Sequence, residues 1–142
     1  MDWEEFRQLR RSDVRREPPE ELDRLAHAVI GAAIEVHRIL GPGHSEASYE
    51  EALCVEMGIR GIPFERQVRY DLQYKGNVVG EGWMDLVVGG ELVIELKAID
   101  ALVSVHTSQL LSYLRATGRR LGLLINFNVA MLRDGIKRVV VS

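Results

Sequence analysis

The stretch from Trp83 to Lys97 restricts the fold more than any other part of the chain. It reads Trp-Met-Asp-Leu-Val-Val, then Gly89-Gly90, then Glu-Leu-Val-Ile-Glu-Leu-Lys. Two apolar, β-branched runs about a glycine pair predict a hairpin. In the second run Leu92, Ile94 and Leu96 alternate with Val93, Glu95 and Lys97, so Glu95 and Lys97 share one side of the strand. A run this apolar belongs in the middle of a sheet covered on both faces. Ionisable groups there are costly to desolvate unless they are paired or hold a metal. A strict Gly89-Gly90 turn would set Asp85 beside Ile94. A three-residue loop, Gly89-Gly90-Glu91, sets Asp85 opposite Glu95, and a bulge would do the same. The odd loop is the expectation, and it brings two carboxylates and an amine to one end of the hairpin.

At 142 residues the chain is long enough for one domain with a sizeable core. The net charge of -3 excludes a uniformly basic protein that coats nucleic acid, though not a local patch. Cys54 is the single cysteine, which excludes an internal disulfide and any multi-cysteine zinc site. It sits among helix-forming apolar residues and reads as a buried structural thiol. No apolar run reaches membrane-spanning length, and Met-Asp-Trp-Glu-Glu lacks the basic and apolar segments of a signal peptide. A cytoplasmic protein is expected.

Residues 1–17 read as a charged N-terminal arm, and 18–142 as a single domain. Trp3, Phe6 and Leu9 make a narrow apolar stripe in the arm among Arg7, Arg10, Arg11, Arg15 and Arg16. The plain reading is a loosely ordered, solvated segment; sharper ones are a nucleic-acid-facing arm or a segment docking on a neighbouring subunit. After Pro18-Pro19, apolar residues from Leu22 to Ile34 recur at spacings of three and four, predicting a helix that stops at Gly41-Pro42-Gly43. Ser45 suits the N-cap of a second helix running to about Met57. From Phe64 the period changes to two through Val68, Tyr70 and Leu72. Lys75-Gly76-Asn77 reads as a turn, and Val78 onward as the strand bearing Asp85. Ala98 to Leu102 is a connection; a third helix from about Ser104 carries His106, Gln109, Leu110 and Tyr113 and closes at Gly118. Leu121–Phe127 reads as a buried strand and Gly135–Val141 as an edge strand.

Asp85 and Glu95 offer hard oxygen ligands suited to Mg²⁺ or Mn²⁺, with a further carboxylate available from Glu46. Lys97 would orient an attacking water or offset charge growing on phosphate. By spacing alone, Asp-x(9)-Glu-x-Lys is also what a simple ion pair across a hairpin looks like.

More residues then fall into a pattern. Gly43-His44-Ser45-Glu46-Ala47-Ser48-Tyr49 fits Gly-x-x-Glu-x-x-Tyr. Glu50-Glu51-Ala52-Leu53, Glu65-Arg66-Gln67-Val68, Tyr74-Lys75-Gly76, Glu95-Leu96-Lys97 and Gln109 to Leu114 follow, then Leu123 to Phe127 and Gly135-Ile136. Over residues 21–141 the chain resembles the GxxExxY protein family, which is similar to the PD-(D/E)xK nuclease superfamily. The resemblance implies an α/β, restriction-endonuclease-like αβββαβ core, with a mixed central sheet flanked by helices. It also implies Asp85, Glu95 and the Leu96 carbonyl as metal ligands, Lys97 as the catalytic lysine and Glu46 as an acid from the helix, binding directly or through water. Gln109 and Tyr113, one helical turn apart, would face the site or the substrate backbone. Gly82-Trp83-Met84 departs from the pattern, since family members often carry an arginine before the acid.

Each of these residues has a plainer reading. Glu46 complements a helix N-terminus, Tyr49 reads as a core anchor, His37 as a hydrogen-bonded packing residue and His106 as exposed. Gln109 has the option of bonding a strand end. Two functions follow. One is a Mg²⁺- or Mn²⁺-dependent nuclease acting on DNA, favoured over RNA. The other is a catalytically silent module of the same shape that binds nucleic acid or self-assembles. The small size predicts a homodimer or higher homo-oligomer under either.

Overall fold

A computed structural model describes residues 1–7 and 17–141, so Leu9 and the arginines at positions 10, 11, 15 and 16 of the predicted arm lie outside the described residues. The elements are α1 (Trp3–Arg7), α2 (Glu20–Leu40), α3 (Glu46–Ile59), β1 (Phe64–Tyr74), β2 (Asn77–Val88), β3 (Leu92–Lys97), α4 (Ser104–Thr117), β4 (Leu121–Asn126) and β5 (Ile136–Val140), with a 3-10 turn at Leu132–Gly135 before the last strand. The five strands lie in the order β1-β2-β3-β4-β5. β3 and β4 run parallel and the other neighbours antiparallel. A parallel pair needs a crossover, and α4 supplies it.

Burial follows from the alternation along the central strands. Leu92, Ile94 and Leu96 meet Leu121, Leu123 and Ile125 under α2 and α3, which contribute Ala26, Val29, Ile30, Tyr49 and Leu53. Val93 and Leu124 turn to the opposite face, where Leu110 and Leu114 of α4 cover them. β3 is therefore sandwiched, as its composition demands. Phe6 is fully buried and packs into the α2–α3 side of the core, so the first residues of the arm are docked on α2.

The helix ends have local causes. Ser45 accepts a hydrogen bond from the Ser48 N–H at 3.2 Å, a cap worth about 1 kcal/mol. The Gly41 N–H donates back to the His37 carbonyl at 2.8 Å and closes α2. Predicted boundaries shift by a residue or two: β4 ends at Asn126 rather than Phe127, and β5 is Ile136–Val140 rather than Gly135–Val141. α3 continues to Ile59, two residues past Met57. Asn77 pairs with Tyr74 and belongs to β2, leaving Lys75 and Gly76, with φ of 48° and 79°, as a two-residue turn. Positive φ at both positions matches the twist of the flanking strands.

Candidate active site

β2 and β3 begin as a regular ladder and then part. Val88 pairs with Leu92, Val87 with Val93 and Leu86 with Ile94, which leaves Gly89-Gly90-Glu91 as a three-residue loop. The odd loop expected from the sequence is the one formed. Beyond Leu86 the side chains take over the pairing. The Asp85 N–H donates to Glu95 Oε1 at 3.1 Å, and the Leu96 N–H donates to Asp85 Oδ2 at 2.8 Å. Each carboxylate thus satisfies a backbone N–H of the opposite strand, groups that are expensive to leave unmet when buried.

The parting coincides with an irregularity on β1. Arg66 pairs with Leu86 and Val68 with Met84, so Gln67 stands at the level of Asp85. Gln67 has a φ of 48°, a left-handed conformation uncommon outside glycine. Leu86 faces α2 and α3, and strict alternation would put Met84 there too. Instead Met84, Val68 and Tyr70 pack with Val87 and Val93 against α4. Both strands exchange faces at the Gln67–Asp85 step while keeping their register.

α3 brings acidic groups to the same place. Glu46 is its first residue, set there by the Ser45 cap and by Tyr49. The Tyr49 hydroxyl donates to the Gly41 carbonyl at 2.5 Å and accepts from the His44 N–H at 3.2 Å, while its ring stacks on Phe127 at 4.5 Å. The Gly-x-x-Glu-x-x-Tyr spacing is therefore a clasp: the tyrosine holds the loop that delivers the glutamate. Glu46, Ala47, Glu50, Gln67 and Asp85 line a hollow of about 310 Å³. Gln67 donates to Glu50 at 2.9 Å and makes a longer 3.5 Å contact with Asp85 Oδ1. A wider hollow, about 640 Å³, lies by Gly90, Glu91 and Arg119 at the opposite end of β3, away from the paired carboxylates.

Burial dominates the electrostatics. Glu95, 7% exposed, has its pKa pushed up to about 8, first by desolvation and then by the charge of Asp85. Asp85 is raised by burial, against the pull of the Leu96 N–H. Glu46 is raised by burial and by Asp85. Lys97 pulls all three down, yet among the described residues it forms no ion pair with any of them. Its carbonyl accepts from the Phe127 N–H at 2.9 Å, which fixes its strand end. The Asn126 side chain bonds both the N–H and the carbonyl of Ile99, at 3.1 and 2.9 Å, and holds the connection that follows.

The remaining candidates divide. Tyr113 is half-buried against Tyr70, and burial plus the charge of Glu95 pushes its pKa up to about 12. Gln109 is exposed, and its side chain has no hydrogen bond among the described residues. His37 Nε2 donates to the Val129 carbonyl at 2.7 Å and is a packing residue. His106 is half-buried rather than exposed: its Nδ1 accepts from the Val103 N–H at 3.0 Å and caps α4. Glu50 and Gln67 belong to the site and were not singled out beforehand. Glu50 had a signal, because it lies four residues after Glu46 on the same helix face.

Among the described residues no three His, Cys, Asp or Glu side chains lie close enough to enclose an ion. The acidic set is a pair, Asp85 and Glu95, with Glu46 as a neighbour. The pair nonetheless fits a hard divalent cation. Its donors are carboxylate oxygens, one oxygen of each receives no backbone N–H, and neither group ionises easily beside the other without added positive charge.

The family comparison decides the class. A family model for the PD-(D/E)XK nuclease superfamily matches residues 23–139. The chain belongs to that superfamily. No curated protein and no solved structure matches it. The match spans α2 to β5, so the five-stranded mixed sheet with helices on both faces is a PD-(D/E)XK, restriction-endonuclease-like sheet. No helix among the described residues is long and apolar enough to cross a membrane.

Proposed function

We propose that this PD-(D/E)XK chain is a cytoplasmic, Mg²⁺- or Mn²⁺-dependent nuclease that hydrolyses phosphodiesters, with DNA favoured over RNA. The observation that carries the reading is the meeting of half-buried Asp85 and buried Glu95 at the parting of β2 and β3, with no cationic side chain bonded to either among the described residues. The finer assignment to the GxxExxY family is supported by the clasp from Gly41 to Tyr49 that delivers Glu46.

Asp85, Glu95 and the Leu96 carbonyl would hold the ion, with Glu46 beside them. When bound, such an ion polarises a phosphoryl oxygen and lowers the pKa of water. The protein's own part is positional. The reciprocal backbone bonds lock both carboxylates in place. Lys97, two residues beyond Glu95 on one strand, orients water and offsets charge growing on the phosphate. Tyr113 closes the α4 side.

Labelled single- and double-stranded DNA and RNA, incubated with Mg²⁺ or Mn²⁺, test this reading. Cleavage should fall at least about 100-fold in both Glu95→Ala and Lys97→Ala. Cleavage unchanged in both variants, or no divalent binding by calorimetry, overturns it. One observation favours the second reading, a silent nucleic-acid-binding module: each carboxylate already has a structural task, accepting a backbone N–H of the opposite strand. That reading expects no metal binding, with unaltered assembly in both variants.

A further inference from the structure

The β1–β2 hairpin runs on past the carboxylates to the Lys75-Gly76 turn, with α4 alongside. Between them lies a third hollow, about 590 Å³, lined by Asp71, Leu72 and Gln73 of β1 and by Ser108, Ser112 and Arg115 of α4. We propose that this groove holds a single-stranded stretch of nucleic acid leading away from the carboxylate pair, with Arg115 and the two serines on its phosphates and Leu72 against a base. The proposal rests on the nuclease reading for the identity of the strand.

One pair of tyrosine rings lies between the groove and the site. Tyr113, next to Ser112, meets Tyr70, next to Asp71, with ring centroids 4.8 Å apart. Gly82 lies opposite Tyr70, and a Cβ there would fall 2.5 Å from the ring. The strand surface is therefore stripped so that the ring lies flat on it. From the level of Asp85 to that of Leu72, paired with Gly80, is roughly 17 Å at the usual strand rise. A chain held there reaches beyond the bond being cut.

Arg115 is set apart from the other arginines whose side chains are described. Arg24, Arg38, Arg60, Arg66, Arg69, Arg133 and Arg138 each meet a carboxylate. Arg119 and Arg120 donate to the carbonyls of Gly90 and Glu17. Arg115 has no such partner among the described residues. The acid in the groove, Asp71, is offset by Arg69 at 3.0 Å. A duplex carries one charge per about 1.7 Å and asks for many cations. One arginine, hydroxyls and an apolar side chain suit a single strand, which gains from contact with its bases. The plain alternative is that Arg115 only complements the C-terminal end of α4.

Fluorescence anisotropy in EDTA separates the two. The probe is a labelled single-stranded oligodeoxynucleotide of about 12 nucleotides, titrated with the full chain, Arg115→Gln, Arg115→Glu and a control on the α2 side, Arg24→Ala. The expected result is a loss of affinity of about tenfold or more in Arg115→Glu. The salt slope should fall by about 0.7 in Arg115→Gln, with Arg24→Ala unchanged and a duplex of the same sequence bound more weakly. Should Arg115→Glu fail to fold, Arg115→Gln decides. Equal affinities and slopes, no binding by the unmodified chain, or tighter binding of duplex overturns the groove. Because EDTA removes any divalent ion, Arg115-dependent binding without cleavage elsewhere would sink the hydrolase reading alone. Cleavage with Arg115-independent binding would sink the groove alone.

Discussion

The molecule buries acid in two places and treats them oppositely. Near the start of α2, Asp23 and Glu17 close on Arg138 of β5 at 2.9 and 2.5 Å, with all three side chains 5% exposed or less. On β2 and β3 Glu95 is buried and Asp85 half-buried, but among the described residues no guanidinium or ammonium bonds to them. The first cluster has its cation built into the chain. The second has backbone N–H groups and each other. Burial of charge is therefore not itself the mark of a site; burial without a resident counter-charge is.

The largest expected effect breaks the first cluster. Arg138→Ala removes the guanidinium that both buried carboxylates bond and should destabilise by about 3–5 kcal/mol in urea unfolding. A loss below about 1 kcal/mol would mean the ion cluster is incidental. The second cluster should respond to a cation from outside: Mn²⁺ at 100 times its dissociation constant should add about 2.7 kcal/mol. Glu95→Gln should abolish that gain, and an identical thermal shift in the variant would remove Glu95 from the ligand set.

Proton linkage sharpens the contrast further. The folded pKa of Glu95, about 8, lies above its ordinary 4.5. The folded state then binds the proton more tightly, so without divalent ions stability should decline as pH climbs between those values, and stay low above the upper one. Glu95→Gln should flatten that decline and be the more stable form at alkaline pH by about 1.4 kcal/mol or more, the equivalent of one unit. Parallel stability–pH curves for the two proteins would rule the shift out. A smaller effect is expected at the clasp. Tyr49→Phe keeps the ring on Phe127 and loses the bond to Gly41, which should cost about 1 kcal/mol, read as a lower urea midpoint.

Much of this was legible in the residues. The period of two through Leu92–Lys97 put Glu95 and Lys97 on one side, while the glycine pair left an even turn open; the odd loop was the expectation that joined Asp85 to Glu95, and it is the loop formed. The Gly-x-x-Glu-x-x-Tyr spacing led to Glu46, and the helical spacing of Glu50 pointed to the same face. The exchange of faces at Gln67 was not legible, because a glutamine with positive φ carries no mark of its own. Nor was the Arg138 cluster, whose partners sit at opposite ends of the chain and meet only once the sheet is complete. Phe6 was visible as an apolar position, but its destination in the core depended on α2 being in place.

The face exchange at Gln67 makes the outer hairpin modular. Residues 71–81 hang from a hinge in the side-chain pattern, so their sequence is uncoupled from the parity that aims Asp85 at Glu95. Replacing that segment with an unrelated hairpin of equal length should leave the melting midpoint and divalent binding nearly unchanged while altering which strands are held. Such a joint leaves the carboxylate frame intact while a single protruding loop is edited.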